Sequence, residues 1–255
     1  MNMDREKILA TLRTAQLGRQ FYLLEETTST FDALKQHPPV HGLTVAARRQ
    51  TSGVGRRGKN WESPSGGIYF STLLLPDLSP ADAPFITLLC ALSVHRALDK
   101  RLPCGIKWPN DVVCGGKKVC GILTLANCAD NVLKSVSVGM GINANTLSFP
   151  DELEGRATSV RLETGKTVDP NKLLCDILYE LELCLQGDRA ALLEEYKCHC
   201  VTLGAQVTAH FPDKEVKGTC TDITPDGCLV LQTKDGQTLT VGSGEVSVRG
   251  IYGYV

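Results

Sequence analysis

The chain has 255 residues, of which 42% are hydrophobic and 22% are charged, a composition that excludes fibrous and disordered proteins and supplies enough apolar material for a core. Its 27 Lys and Arg residues nearly balance its 28 Asp and Glu residues, and the net charge of -1 argues against a nucleic-acid partner. The N-terminal segment MNMDREKIL is charged where a signal peptide is apolar, and the sequence predicts no membrane span. We therefore expect a cytoplasmic protein with neither a nucleic acid nor a membrane as partner.

The 11 cysteines predict reduced thiols and not a disulfide framework, because their number is odd and no C-x-x-C motif occurs. One tight cluster, Cys198-His199-Cys200, lacks a second ligand pair at the spacing of a zinc site and is not expected to bind a metal. The other cysteines are expected to act as small apolar side chains.

Apolar periodicity, helix caps and turn residues predict mixed helices and strands up to about residue 200. The predicted helices are a short one capped by Asp4, one from Ser29 or Thr30 through Leu34, and three longer ones over 83–100, 170–186 and 188–197. The predicted strands cover 21–26, 43–48, 68–75, 106–108, 117–126 and 132–138, and an irregular connection then runs to residue 168. From Val201 onward, short alternating strands between Gly, Pro and Asp turns predict a small all-β unit that should pack on the larger domain.

A glycine-rich loop, Gly53-Val54-Gly55-Arg56-Arg57-Gly58-Lys59-Asn60, imitates two nucleotide-binding motifs. It satisfies G-x-G-x-x-G and all but the last position of G-x-x-x-x-G-K-[ST]. Both motifs require the loop to open into a helix, whereas here the chain continues as WESPSGG, and Asn60 lacks the hydroxyl that a P-loop gives to magnesium. Glycines flanking cations instead favour a mobile loop that closes over an anionic ligand, the alternative being a solvated basic loop.

Two further motifs carry candidate functional residues. In the first, Lys107-Trp108-Pro109-Asn110-Asp111 precedes the strand that begins GGKKVCGIL, so that Asp111 and a lysine of this strand could meet at one end of a sheet. Strict alternation places Lys118 on the face of Cys120 and Ile122 and places Lys117 on the opposite face. A purely structural turn stays open as the alternative. In the second motif, GMGIN at residues 139–143, two glycines permit a ligand to approach the backbone closely.

The order of TTST, RQTSGVGRRGKNW, KWPND, GGKKVCGIL, GMGIN, ATSV and GEVSVR resembles the biotin protein ligases, also called holocarboxylase synthetases, over residues 20–250. The resemblance implies an α+β fold of the class II synthetase-like, biotin/lipoate ligase type. It has a mixed β-sheet catalytic domain flanked by helices over 1–200 and a small SH3-like β-barrel over 201–255. The implied activity is ATP-dependent activation of biotin as biotinyl-5'-AMP, followed by transfer of biotin to one lysine of a biotin carboxyl carrier domain. Mg2+ would accompany ATP, with ligands that the sequence does not assign.

The resemblance also implies roles for individual residues, carried over by position. The implied biotin-binding residues are Ser29, Thr30, Gln50, Gly53, Gly55, Arg56, Lys118, Gly139 and Gly141. The implied nucleotide-binding residues are Arg57, Gly58, Lys59, Trp61, Asn110, Asn143, Glu245 and Arg249. The implied catalytic residues are Lys118, Arg56 and Asp111.

The sequence departs from the family pattern at two positions and leaves other functions open. Val54 stands where the family commonly has a cation, and Phe31 stands where it often has an asparagine. Only 20 residues precede the first predicted strand, so we expect neither a winged-helix domain nor a repressor function. The alternative functions are a lipoate or octanoate ligase or transferase and a non-enzymatic biotin-responsive protein, and a homodimer stays open.

Overall fold

The computed structural model describes residues 2–211, 214–243 and 247–250, the last four by their backbone alone. The helices are α1 (Arg5–Thr11), α2 (Thr30–Lys35), α3 (Ala83–Asp99), α4 (Val160–Thr164), α5 (Pro170–Gln186) and α6 (Arg189–His199). The strands of the first 200 residues are β1 (Phe21–Thr27), β2 (Thr44–Gln50), β3 (Gly53–Val54), β4 (Asn60–Trp61), β5 (Ile68–Leu74), β6 (Gly105–Lys107), β7 (Asp111–Cys114), β8 (Lys117–Ala129) and β9 (Val132–Ile142). The later strands are β10 (Gln206–His210), β11 (Glu215–Ile223), β12 (Leu229–Thr233), β13 (Thr238–Val241) and β14 (Ser247–Gly250).

A seven-stranded mixed sheet forms the centre of the fold, in the order β1-β2-β5-β9-β8-β7-β6. Only β1 and β2 are parallel, and the other neighbours are antiparallel. Strand alternation divides the apolar residues between two faces, so that Ala46 and Leu74 join the main core while Val45 and Leu73 pack beneath α2. The mixed sheet flanked by helices is thus the fold class that the sequence predicts.

Helix α3 is the central element of the main core. The sequence predicts an amphipathic stripe through Phe85, Leu88 and Leu92, and these residues are buried. Residues on the other side of the helix, among them Cys90 and His95, are buried as well, because α3 lies between the sheet and α5. The sequence predicts no membrane span, but Pro80–Asp99 is long and apolar enough for one. Within it, 72% of an 18-residue apolar window is buried inside the protein, as in the core helix of a globular fold.

The C-terminal strands form a separate antiparallel sheet in the order β13-β12-β11-β10-β14. Its apolar residues, including Val207 and Leu229, belong to the same buried cluster as α3 and α5. The indole N–H of Trp108 also donates a 3.0 Å hydrogen bond to the Gly227 carbonyl. This small all-β unit therefore packs on the larger domain as expected, and the division of the chain at residue 200 stays a prediction.

Several elements differ from the sequence predictions. Helix α1 ends at Thr11, and Asp4 caps its first turn as predicted. The sequence predicts no strand at β7, because its four residues between a proline turn and two glycines are too few to show alternation. Helix α4 lies within the stretch for which the sequence predicts an irregular connection. It was not predicted because its five residues, between the Ser159 cap and Gly165, are too few to show periodicity.

One buried carboxylate joins α5 to the chain that follows α1. The carboxylate of Glu182 accepts hydrogen bonds from the backbone N–H groups of Ala15 (2.6 Å), Gln16 (2.8 Å) and Leu17 (2.9 Å). Burial raises the pKa of Glu182, but the three N–H donors and the Arg19 charge outweigh this effect and leave the pKa below its ordinary value.

We predict that Glu182→Gln lowers the free energy of unfolding by about 1–3 kcal/mol at pH 7, because an amide offers these donors only one acceptor oxygen. The folded-state pKa is depressed, so this stabilisation is fully present above the unfolded pKa of about 4.3 and is lost as pH falls through the folded pKa. Urea unfolding of both proteins at pH 7 and at acid pH measures it.

The control is Glu180→Gln on the same helix, where the carboxylate lies 3.7 Å from an Arg96 that also pairs with Glu195. We expect its effect to be below about 1 kcal/mol. Equal losses for the two variants, or a difference that does not shrink at acid pH, would contradict the role given to Glu182.

Candidate active site

A cavity of about 950 Å³ opens at one end of the central sheet. The glycine loop, the turn at residues 107–111, the facing ends of β8 and β9, and the segment 152–157 form its walls. Thirteen of the residues implied by the family resemblance line it, namely Thr30, Gln50, Gly55, Arg56, Arg57, Lys59, Trp61, Asn110, Asp111, Lys118, Gly139, Gly141 and Asn143.

Five implied residues are placed elsewhere or cannot be located. Ser29 is completely buried and caps α2 by accepting a bond from the Asp32 N–H, while Gly53 and Gly58 belong to the loop without lining the cavity. Glu245 lies outside the described residues, and Arg249 is described by its backbone alone, in β14. Their roles in ligand binding stay predictions.

The glycine loop is a hairpin and does not lead into a long helix. Strand β3 pairs with β4, Gly53 opposite Trp61 and Val54 opposite Asn60, and a single turn of 3-10 helix at Arg56–Gly58 joins them. No long helix N-terminus follows the loop, which agrees with the exclusion of the dinucleotide and P-loop motifs. The hairpin instead places three cations, Arg56, Arg57 and Lys59, along one wall of the cavity.

Arg56 connects this loop to two other parts of the molecule. Its guanidinium donates to the Asn110 side-chain oxygen (2.8 Å) and to the backbone carbonyl of Ser243. Asn110 in turn donates to the Ile122 carbonyl (2.7 Å), so the turn and β8 position the residue that holds Arg56. The loop, the turn and the C-terminal unit thus meet at one side chain.

Lys118 points into the cavity, where its ammonium lies 2.7 Å from an Asp111 carboxylate oxygen. The lysine side chain is 20% exposed and the aspartate 11%, so water screens the pair less than it would at the surface. The Lys118 ammonium is already partly desolvated, so an anionic ligand can bind it without the full cost of removing it from bulk water.

The predicted face of Lys118 is wrong, and a β-bulge explains why. Val112 pairs with Cys120 but Val113 pairs with Lys118, so Val119 is an extra residue that shifts the alternation of β8. A Cβ added at Gly121, which pairs with Asp111, would lie 2.9 Å from the Lys118 ammonium. Lys118 therefore shares a face with Gly121, while Cys120 and Ile122 are buried in the core.

Two aromatic side chains rest on the glycines of the cavity floor. A Cβ on Gly141 would lie 2.4 Å from the Trp61 indole, and one on Gly139 would lie 2.4 Å from the Phe31 ring. Glycine is needed at both positions because these rings occupy the space of a side chain. The Trp61 indole N–H is buried and has no hydrogen-bond partner among the described residues.

At the uncharged end of the cavity, Gln50 and Thr30 form a hydrogen-bonded group. The Gln50 side-chain oxygen accepts from the Thr30 N–H (2.9 Å), and the Thr30 hydroxyl lies 2.7 Å from that of Ser71. The Gln50 amide donates to Ser63 (3.0 Å). This end offers donors and acceptors without a formal charge, whereas the Arg56 and Lys118 end is cationic.

Sequence reasoning missed one wall of the cavity. Lys118 pairs through its backbone with the 156–158 segment, donating to the Arg156 carbonyl (2.8 Å) and accepting from the Thr158 N–H (2.9 Å). The Asn143 side chain donates to the same Lys118 carbonyl (3.3 Å), so Asn143 supports the lysine from the other side. The ATSV motif at 157–160 is the signal that could have indicated this contact, and Lys107, buried in the cavity wall, was missed as well.

Comparisons with known proteins agree with this geometry. A family model described as the Biotin/lipoate A/B protein ligase family matches residues 21–143, and one described as the Biotin protein ligase C terminal domain matches residues 202–249. A biotin--[acetyl-CoA-carboxylase] ligase of Paracoccus denitrificans is 33% identical over 232 residues, which cover 84% of this chain and 95% of that protein.

The chain belongs to the biotin protein ligase family. A bifunctional ligase/repressor of Bacillus spizizenii is 30% identical over 250 residues, covering 92% of this chain and 76% of that protein. The structure is similar to a biotin protein ligase of Aquifex aeolicus in complex with biotin and ATP, with a TM-score of 0.80, 30% identity and coverage of 91% of this chain and 99% of that one. Family membership makes the chain a ligase and confirms the predicted fold class.

We predict that Gly141→Ala displaces the Trp61 indole, because the new Cβ would lie 2.4 Å from the ring. The chain has two tryptophans, and Trp108 is buried away from this contact, so a change in emission reports on Trp61. We expect a red-shifted tryptophan emission and stronger quenching by acrylamide. In a Trp61→Phe background the same substitution should leave the emission unchanged, and an unchanged spectrum in the wild-type background would contradict the contact.

Proposed function

We propose that this chain activates biotin with ATP as biotinyl-5'-AMP and then transfers biotin to a lysine of a biotin carboxyl carrier domain. The observation that carries the proposal is the polarity of one cavity, which is uncharged but hydrogen-bonding at Thr30 and Gln50 and cationic at Arg56 and Lys118. A molecule with a ureido ring at one end and a carboxylate at the other matches both ends.

The first reaction brings together two anions, the biotin carboxylate and the α-phosphate of ATP. At about 4 Å and an effective dielectric of about 20 they repel by about 4 kcal/mol. Without compensating positive charge, this repulsion would slow the reaction by nearly three orders of magnitude. The carboxylate oxygen attacks the α-phosphorus and pyrophosphate leaves. We assign the balancing charge to Arg56 and Lys118, which act by electrostatic stabilisation and orientation.

In the second reaction, the ε-amine of the carrier lysine attacks the acyl carbonyl of biotinyl-5'-AMP, an amide bond forms and AMP leaves. The amine must reach the carbonyl in its neutral form. Asp111 lies 2.7 Å from the Lys118 ammonium, which places a carboxylate beside the reacting atoms in this assignment. We assign Asp111 to orient the incoming amine and to hold Lys118.

The nucleotide is assigned to the indole of Trp61 and to the loop cations Arg57 and Lys59. Mg2+ would enter with ATP and supply charge neutralisation of the phosphates, for which oxygen ligands are required. Four carboxylates fit this chemistry because they line the cavity: Glu62, Asp111, Glu152 and Glu154. The cytoplasm, as a reducing compartment that holds ATP, suits this reaction and the 11 free thiols of the chain.

The experiment that tests the function incubates the full chain with ATP, Mg2+ and an isolated biotin carboxyl carrier domain, with biotin, lipoate or octanoate supplied in separate reactions. We expect a mass increase of the carrier domain by one biotinyl group and AMP formation with biotin alone. Acylation by lipoate or octanoate would instead support the related ligases, and biotin binding without AMP would support a binding protein. Either result would overturn the proposal.

We predict that Lys118→Ala lowers the rate of biotin-dependent pyrophosphate release by a factor of about 100 or more, because it removes a charge aimed at the reacting oxygens. The matched variant is Lys117→Ala, one residue earlier, whose ammonium pairs with Glu163 at 3.5 Å and is 45% exposed. Its rate should stay within about threefold of wild type, given the small energies of exposed pairs. A larger loss in Lys117→Ala would contradict the assignment, and circular dichroism checks that both variants fold.

We predict that Val54→Arg slows the release of biotinyl-5'-AMP by up to about tenfold, the equivalent of about 1.4 kcal/mol for one added charge-assisted contact. Val54 lines the cavity and is 43% exposed, so an added cation can reach the ligand, although water reduces its effect. The control is Val40→Arg, equally exposed but outside the cavity. Stopped-flow measurement giving equal release rates for wild type and Val54→Arg would show that position 54 faces away from the ligand.

A further inference from the structure

Three side chains with metal-ligating atoms meet outside the ligase cavity, where α3 ends and the chain turns into β6. They are His95 and Asp99, one helical turn apart on α3, and Cys104, which directly precedes β6. One ligand atom from each residue lies within 4.8 Å of the other two. We propose that His95, Asp99 and Cys104 bind a Zn2+ ion.

The distances suit a shared ion. The Cys104 sulfur lies 3.4 Å from Nδ1 of His95. Two ligands on one tetrahedral zinc ion, with a Zn–S bond of about 2.3 Å and a Zn–N bond of about 2.05 Å, are about 3.6 Å apart. The sulfur and nitrogen are therefore already close to the separation that the ion requires, and a carboxylate oxygen of the exposed Asp99 lies within 4.8 Å of both.

The protonation state of His95 suits zinc, whereas Cys104 must lose a proton before it can bind the ion. Burial, with His199 beside it, lowers the pKa of His95 to about 4, so the imidazole is neutral at pH 7 and has a lone pair to donate. Burial and the Asp99 charge raise the pKa of the Cys104 thiol, so zinc must displace its proton. Binding forms one Zn–S bond and releases one proton, and the thiolate and carboxylate then neutralise the ion.

Two helices present their C-terminal ends to this cluster, which favours a cation. Helix α3 ends at Asp99, and α6 ends at His199, whose ring lies 4.0 Å from that of His95. The fourth position of a tetrahedral ion is open to water or to His199. His199 is the residue of the Cys198-His199-Cys200 motif whose ring packs against His95.

The site is distinct from the ligase cavity, since none of its three ligands lines that cavity. Strand β6 nevertheless connects the two, because it begins after Cys104 and ends at Lys107 in the cavity wall. A metal ion bound only by the folded chain stabilises it. We therefore assign the ion a structural role, fixing the end of α3 to the start of β6.

The test uses the full chain, freed of metal by dialysis against a chelator. Zn2+ titrated calorimetrically should bind with a stoichiometry of one, and Co2+ in its place should give a thiolate-to-metal charge-transfer band. Cys104→Ser should abolish the band and weaken Zn2+ binding by about tenfold or more, since even indirect perturbations of metal sites cost that much. Asp99→Asn, an exposed change that leaves the core untouched, should weaken Zn2+ binding as well.

The matched control is Cys198→Ser, an exposed cysteine next to His199, which should keep both the band and the affinity. Absence of stoichiometric Zn2+ binding to the wild-type chain would overturn the proposal and leave a hydrogen bond between Cys104 and His95. A band that survives in Cys104→Ser, or one that is lost in Cys198→Ser, would also overturn it. Zn2+ should raise the melting temperature of the wild-type chain but not that of Cys104→Ser.

Discussion

The turn at residues 107–110 is the constraint on which the arrangement of the molecule depends. Trp108 is buried and bonds to Thr202 and Gly227 of the C-terminal unit, while the Pro109 carbonyl accepts from Tyr196 on α6. The next residue of the turn, Asn110, holds both β8 and Arg56. Three consecutive residues, Trp108, Pro109 and Asn110, thus fix the positions of a helix, a second sheet, the central sheet and the glycine loop, and the cavity lies where these parts meet.

The sequence predicted elements well where the signal is local. The Asp169 cap, Pro170 and Gly187 bound α5 as expected, because a cap and a helix stop act within one turn of the backbone. Thirteen residues of the cavity were predicted through the resemblance of the motif order to the biotin protein ligases. The orientation of Lys118 was not predicted, because the bulge at Val119 depends on pairing with β7, a strand too short to show a pattern.

Longer-range contacts explain the other gaps. No periodicity marks the 152–157 segment, whose place in the cavity wall is fixed by backbone bonds to Lys118. Ser29 was expected in the cavity, yet the local requirement of α2 for a cap buries its hydroxyl. The two glycines of GMGIN were predicted to leave room for a ligand, and the structure shows that they also make room for Trp61 and Phe31. For the 152–157 segment and the two glycines, the contact joins residues far apart in the chain, so the neighbour could not be known from the sequence.

The contact between Arg56 and the Ser243 carbonyl has a thermodynamic consequence. One guanidinium serves both the cavity and the C-terminal unit, so the two are linked, and the linkage must be reciprocal. A ligand that strengthens or weakens the hydrogen bond between Arg56 and Ser243 changes the free energy with which the C-terminal unit docks. Docking changes the binding free energy of that ligand by the same amount. A substitution in the C-terminal unit that changes this docking therefore changes the affinity for the ligand, even where it touches no residue of the cavity wall.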